Sequence, residues 1–393
     1  MLDSSGTVRQ QRPISVAHVV TGVAAGGGVQ TVVRDLAVSA SPMSLTTHVI
    51  TTRPAERSGD LGALPITLHP LDYVRGGYRP IDRLRLAWGV ARLVRRIRPD
   101  VVQLHSGIGW LGIVARFTAP RTPFVLEVHD APGSGRHSHF TDMMEGWWVR
   151  RLGVTAICHS TSVRDEVRAS WRPGEGKVVM FPLGVDTDLF SPIDHGERDR
   201  WRCEVGVQDS DVVVLAVGRI VESKRFGDAV EAVASADRLG TRVHLVVVGG
   251  GSETMEAELR DRAEELGVSD RVHLIGPRSR RALADAYGSA DIVLSASGYE
   301  GFGLVVVEAM SAGVPVVATA VGGVTDLIDP DVTGLLVDVG DVGAMAMALQ
   351  RLAEDDELRL RMGAAGRIRS LEKFSMGVAT RNFVKTYREL ARR

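Results

Sequence analysis

Between Asp291 and Gly323 the chain reads DIVLSASGYEGFGLVVVEAMSAGVPVVATAVGG, and no other stretch limits the fold so sharply. Ile292 to Leu294 form an apolar run, Ser297 to Gly303 a glycine-rich turn, Leu304 to Ala312 a run of helix formers, and Val314 to Ala318 a second buried strand. That order predicts one βαβ unit of a parallel sheet with a polar loop at a strand's carboxyl end. Open α/β sheets bind ligands at that end. The amides of Gly303 and Leu304 would open the helix, where backbone donors and the helix dipole attract phosphate.

The same grammar recurs along the chain. Ile14 to Val20 predicts a strand, Gly22 to Gly28 a glycine-rich loop and Val29 to Val38 an amphipathic helix; Val101 to Leu104, Phe124 to Val128 and Val212 to Val217 are further buried strands. A chain of 393 residues exceeds the size at which a single core stops growing, so two α/β domains are expected. The spacing G-x-G-x-x-G with a ribose-binding acid about 20 residues on is missing, which argues against a nicotinamide oxidoreductase. The glycines of the first loop, Gly27 and Gly28 among them, point instead to close backbone approach to a ligand.

Net charge is −1, so no nucleic-acid partner is implied. Two cysteines, Cys158 and Cys203, are too few for a disulfide framework, and Cys158 ends an apolar strand where it simply packs. The polar Met1 to Arg12 segment lacks a signal core and no apolar run reaches the ~18 residues of a membrane span, which predicts a cytoplasmic protein. Arginines from Arg79 to Arg98 surround Leu84, Leu86, Trp88, Val90, Leu93 and Val94, a surface-helix pattern that could also make a weak peripheral contact with anionic lipid. Trp147-Trp148 beside Arg150-Arg151 poses the same question.

Two carboxylates carry the chemistry of the 291–323 unit. Glu300 lies in the loop and Glu308 about one turn into the helix, so both can face one crevice above the sheet. Glu308 is flanked by Leu304, Val305, Val306, Val307, Ala309 and Met310, and a carboxylate there needs hydrogen-bond donors. A sugar's vicinal hydroxyls would supply two. Upstream, Val212 to Val217 runs into Gly218-Arg219-Ile220-Val221-Glu222-Ser223-Lys224. Arg219 and Lys224 place two cations at a strand end, Arg as a rigid fork for phosphate oxygens and Lys as a movable point charge.

These motifs resemble those of the retaining, nucleotide-sugar-dependent glycosyltransferases of family 4. Glu300 and Glu308 with the intervening GFGLVVV match the family's E-x7-E signature, and the Gly218–Lys224 segment its G-R-L-x-x-x-K. Pro182-Leu183-Gly184-Val185-Asp186 with Phe190 and Pro192 is similar to its interdomain segment, with Leu183 where Asn is common; Gly322-Gly323 matches a later glycine pair, with Asp326 in place of Glu. The resemblance implies the GT-B fold: two Rossmann-like, doubly wound parallel-sheet domains facing a central cleft, with a C-terminal helix crossing back to the first. The domains are then expected at 12–182 and 205–372, joined by 183–204, with 373–393 as the returning helix.

The resemblance also implies roles. Glu300 would bind hydroxyls of the donor sugar and Glu308 the nucleotide ribose; Arg219 and Lys224 would hold the diphosphate; Gly303, Leu304, Gly27 and Gly28 would border its phosphates. His129, at the end of the Phe124–Val128 strand, would reach the sugar near the scissile bond, with Asp130 the one acid accompanying it. His105 would at most line the acceptor cleft, and His137-x-His139 lacks the companions of a metal site. The expected activity is transfer of a hexosyl unit, from a UDP-sugar in preference to GDP-mannose, to a hydroxyl of a small-molecule, glycan or lipid-linked acceptor. No cofactor and no metal are expected. The alternatives left open are a GT-B hydrolase or epimerase and a non-catalytic nucleotide-sugar-binding protein.

Overall fold

The computed structural model describes residues 12–20, 28–52, 64–71, 80–136 and 138–392. The chain divides into two compact units, one formed by Met1–Gly184 with Met376–Arg393 and the other by Val185–Ser375.

The first unit is built on seven parallel strands: β1 (Ile14–Val20), β2 (Leu45–Thr51), β3 (Ile66–Pro70), β4 (Val101–His105), β5 (Phe124–Val128), β6 (Thr155–Cys158) and β7 (Val178–Met180), in the order β3-β2-β1-β4-β5-β6-β7. Every residue of β4, β5 and β6 is buried, because helices cover both faces of a parallel sheet and leave neither to water. The strand order reverses between β1 and β4, which opens a crevice at their carboxyl ends. The helix Met376–Ala391 packs on the helix Gly28–Ala40 and on β1 and β4. Phe383, Val384, Tyr387 and Leu390 recur at helical spacing and are all buried, each large side chain contributing about 1.5–3 kcal/mol of apolar burial. The helix that crosses back thus completes the first unit's core.

The second unit holds six parallel strands: β8 (Val212–Val217), β9 (Val243–Val248), β10 (Val272–Gly276), β11 (Ile292–Ser295), β12 (Val316–Thr319) and β13 (Gly334–Val337), in the order β10-β9-β8-β11-β12-β13. Its reversal point lies between β8 and β11, the strands that precede the basic segment and the Glu300 loop. Helices of this unit begin at side-chain caps: Asp194, Ser252 and Ser279 each accept a hydrogen bond from a backbone N–H three residues on. Of the connecting segment 183–204, the residues from Val185 on, with the helix His195–Val205, group with the second unit. There Arg202, 1 % exposed, bonds Asp291 Oδ2 at 2.6 Å and the carbonyl of Ser289.

Candidate active site

In the second unit the sheet delivers four of the expected side chains to one end. β8 runs into Gly218, whose N–H donates to the carbonyl of Val248 at 3.0 Å. The approach of the two strand ends is so close that a Cβ on Gly249 would lie 1.8 Å from the carbonyl oxygen of Gly218, which only glycine allows. Ile220 is buried and anchors the turn, while Arg219 is exposed and makes no ion pair among the described residues. A single helical turn, Glu222–Lys224, then brings Lys224 back. Its ammonium donates to Glu300 Oε1, and Ser297 Oγ donates to the same oxygen at 2.8 Å. The backbone of Glu300 is fixed from the other side, where Gly323 N–H donates to its carbonyl at 2.9 Å and a Cβ on Gly322 would sit 1.9 Å from that oxygen. The Gly322-Gly323 pair is therefore a mould for the loop that carries Glu300.

Glu308 lies on the helix Leu304–Ser311, which opens at Gly303 in the left-handed conformation at φ 104°. The hydroxyl of Tyr287 donates to Glu308 Oε2 at 2.7 Å. Tyr287 is fully buried, and burial followed by the Glu308 charge pushes its phenol well above the usual tyrosine range. Phe190 packs edge-on against its ring at 5.6 Å, and Ser311 Oγ donates to the Phe190 carbonyl at 2.6 Å. One of the donors demanded by the apolar flanks of Glu308 is thus Tyr287.

In the first unit the cluster around His129 is richer than the sequence reading allowed. Asp130 is not its principal acidic neighbour; Glu127 is, because residues two apart on a strand share a face. Glu127 is completely buried. Its Oε1 takes a hydrogen bond from His159 Nε2 at 2.8 Å and lies 4.0 Å from His129 Nδ1. Its Oε2 takes one from the Gln103 amide and lies 3.3 Å from His105 Nδ1. Burial alone would raise this carboxyl, but its electrostatic interactions with His129 and His105 and the hydrogen bond from His159 outweigh it and hold Glu127 far below the usual carboxylate range. His105 does more than line a cleft: it is 2 % exposed, and its Nδ1 lies 3.0 Å from His129 Nε2. Burial lowers His105 to about 3 and the neighbouring His18 to about 4, so both rings are neutral at physiological pH.

Ligand atoms of His105, Glu127 and His129 lie within 4.8 Å of one another, a spacing a cation can bridge. The rings of His105 and His129 are, however, 3° from parallel with centroids 5.3 Å apart, so the 3.0 Å N···N vector runs along the line of centres. That is an in-plane N–H···N bond with no place for an ion between the nitrogens.

Gly27 lies outside the described residues, and Gly28 is the first residue of its helix. His137 also lies outside them, while His139 opens the helix His139–Arg151. Burial pushes the Cys158 thiol up to about 12, which leaves it inert. The arginine-rich segment forms the helix Pro80–Ile97 with Leu86, Val90 and Val94 buried and Leu84 and Trp88 exposed. No described helix is long and apolar enough to cross a membrane. Beyond β2 and β4, at the reversal of the first sheet, lies a cavity of about 440 Å³ whose lining includes Thr52, Arg83, Trp110, Phe140 and Met144.

Two family models match the chain: Glycosyltransferase Family 4 over residues 26–189 and Glycosyl transferases group 1 over residues 197–369. The D-inositol 3-phosphate glycosyltransferase of Corynebacterium efficiens is 30% identical over 367 residues, 87% of this chain and 86% of its own. This chain is a family 4 glycosyltransferase. The enzyme of the same name from Corynebacterium glutamicum is 29% identical over 366 residues, 87% of each chain. Among solved structures, Anabaena HepE in complex with UDP-glucose superposes with a TM-score of 0.83 at 20% identity, covering 96% of this chain and 100% of that one. A glycosyltransferase from Rickettsia africae ESF-5 gives 0.82 at 19% identity, covering 97% and 99%. The glycosyltransferase thus has the GT-B pair of Rossmann-like domains.

Of the residues that the family motifs single out, Lys224 and Glu300 are in direct contact, Glu308 is held by Tyr287, and His129 is tied to His105 and Glu127. Sequence reasoning missed Tyr287, Glu127, His159 and Gln103. For Glu127 a signal existed: a carboxylate inside the otherwise apolar strand FVLEV must have partners, and its nearest same-face neighbour is His129.

Proposed function

We propose that this glycosyltransferase moves a hexosyl unit from a nucleoside diphosphate sugar to a hydroxyl acceptor with retention, with a uridine nucleotide as the preferred donor over GDP-mannose. The observation that carries the reading is the Lys224–Glu300 pair, braced by Ser297, at the strand-order reversal of the second sheet. A carboxylate and an ammonium side by side there suit a ligand that presents hydroxyls next to phosphate. Glu300 would accept hydrogen bonds from sugar hydroxyls, while Lys224 and Arg219 stabilise charge on the departing diphosphate. Glu308, oriented by Tyr287, would take the ribose hydroxyls, and the amides at Gly303 and Leu304 would face phosphate at a helix N-terminus. That Anabaena HepE was solved with UDP-glucose supports the choice of base.

Retention would follow from departure and attack on the same face of the sugar. Glu300 is already committed to Lys224 and Ser297, which makes it a poor nucleophile towards the anomeric carbon. The leaving phosphate would take the acceptor's proton while the two cations hold it, with His129 contributing a donor near the sugar. Fixed cations would stand in for a divalent metal. The acceptor, whether a small molecule, a glycan or a lipid-linked hydroxyl, would enter beside the first sheet's crevice, where Trp110 and Phe140 offer apolar faces and Arg83 a cation.

The test is to incubate the enzyme with UDP-glucose and with GDP-mannose, in the presence of a chelator and an acceptor panel, and to read the fresh product by nuclear magnetic resonance. An α-linked product without a sugar adduct on the protein is expected. A β product overturns retention, and a covalent sugar adduct overturns same-face departure.

A further inference from the structure

A line of hydrogen bonds runs through the first unit without touching the surface. Tyr387, on the returning helix, donates its hydroxyl to Gln103 Oε1; the Gln103 amide donates to Glu127; His159 bridges Glu127 and, from its Nδ1, the carbonyl of Phe181 at 3.0 Å. All five residues are buried. His129, 17 % exposed in its side chain, is the member nearest to solvent, and it joins the line through His105.

Hydrogen accounting assigns the protons. The Phe181 carbonyl can only accept, so His159 Nδ1 carries hydrogen, and Nε2 of the same ring donates to the Glu127 carboxylate. Nδ1 of His105 stands between Glu127 Oε2 and His129 Nε2. That nitrogen points along the ring plane at His129 Nε2 with the Glu127 carboxylate 3.3 Å to its side, and a hydrogen on Nδ1 puts the positive end of the N–H dipole beside that charge where a bare nitrogen would put a negative one, so the hydrogen sits on Nδ1. The nitrogen it faces, His129 Nε2, must then accept. The hydrogen of a neutral His129 is left on Nδ1, on the side nearer Glu127 Oε1.

We propose that Glu127 is a positioning residue that acts through His105 to hold His129 as its Nδ1–H tautomer, with Nε2 occupied by His105. The proposal rests on the reading of His129 as the active-site histidine. It also gives Tyr387 and Gln103 a purpose, since they orient the amide that satisfies Glu127 Oε2. The groups facing Glu127 come from β4 (Gln103, His105), from the residue after β5 (His129) and from the residue after β6 (His159). His18 of β1 stacks on His105 at 6.0 Å.

The experiment uses the full chain labelled with ¹⁵N in its histidines. In the wild-type enzyme near neutral pH, His129 and His105 should each show a protonated Nδ1 and an unprotonated Nε2. In solution a free histidine prefers the other neutral tautomer, so an Nε2–H signal for His129 in the wild type overturns the proposal whether or not any variant folds. Glu127→Gln should return His129 to a mixture and lower kcat with UDP-glucose on the order of 10²-fold at unchanged donor KM. In the background of His129→Ala the same substitution should change kcat less than about twofold. Equal losses in both backgrounds would mean that Glu127 supports the fold and not His129. Lack of activity on any nucleotide sugar would refute the transferase reading instead, and the tautomers would still be readable.

Discussion

Replacing Glu145 by Gln should remove a specific pH dependence of stability. Glu145 is 1 % exposed, on the helix His139–Arg151. Its Oε1 accepts hydrogen bonds from the backbone N–H groups of Gly107 at 2.9 Å and Gly109 at 3.3 Å, and its Oε2 is buried with no partner among the described residues. Burial pushes its carboxyl up to about 8; the two amides pull the other way and the nearby Asp142 adds to the rise. The folded protein therefore keeps a proton that the unfolded chain releases near the ordinary value of 4.5. Where the folded state binds more protons, stability falls as pH rises: the contribution is full below the unfolded value and is lost as pH climbs through about 8. At its upper limit the shift corresponds to about 5 kcal/mol, and water drawn to the ionised group would reduce that to about 2 kcal/mol. Glu145→Gln keeps an oxygen for both glycine amides and cannot ionise. Urea unfolding followed by tryptophan fluorescence suits the test, since Trp88, Trp110, Trp147, Trp148 and Trp171 all lie in the first unit and only Trp201 in the second. The variant should match the wild type at pH 5 and exceed it by about 2 kcal/mol at pH 9. A difference that is flat with pH, or larger at pH 5, would refute the reasoning.

Replacing Arg219 or Lys224 by Ala should lower kcat on the order of 10²–10³-fold with the fold intact, and unchanged turnover in both variants, measured by release of nucleoside diphosphate, would remove them from the site. Tyr287→Phe deletes only the hydroxyl that holds Glu308, so calorimetric titration with UDP should show a five- to tenfold weaker Kd, worth about 1 kcal/mol. Glu308→Ala should weaken UDP binding further, whereas Glu300→Ala should chiefly impair sugar recognition and rate; equal losses of UDP affinity in the two would contradict that division.

The strands were legible because a parallel sheet covered on both faces needs uninterrupted apolar runs, and β1, β5 and β8 begin and end where those runs do. The basic segment and the two glutamates were legible because they follow the ends of the apolar runs of β8 and β11. Tyr287 was not, since an aromatic residue on a helix is ordinarily core, and only the packing of two helices puts its hydroxyl on Glu308. Nor was His159: its link to Glu127 depends on the register that sets Val128 of β5 beside Cys158 of β6, and register is not written in either strand alone. The Gly322-Gly323 pair could be matched by resemblance, but its reason, the backbone of Glu300 lying against it, appears only in three dimensions.

The helix Met376–Ala391 gives the chain a particular order of assembly. The first unit's residues up to Gly184 leave the ribosome early, yet the helix that seals their sheet, with Phe383, Val384 and Tyr387 buried, emerges only after the whole of Val185–Ser375. The second unit can close its core from one continuous segment, while the first must wait with an open apolar face and with Gln103 lacking its tyrosine. A nascent chain at that stage is exposed to chaperones and proteases over its earliest part. An isolated first unit would need 376–393 restored to it, by fusion or as a separate peptide, before it could fold.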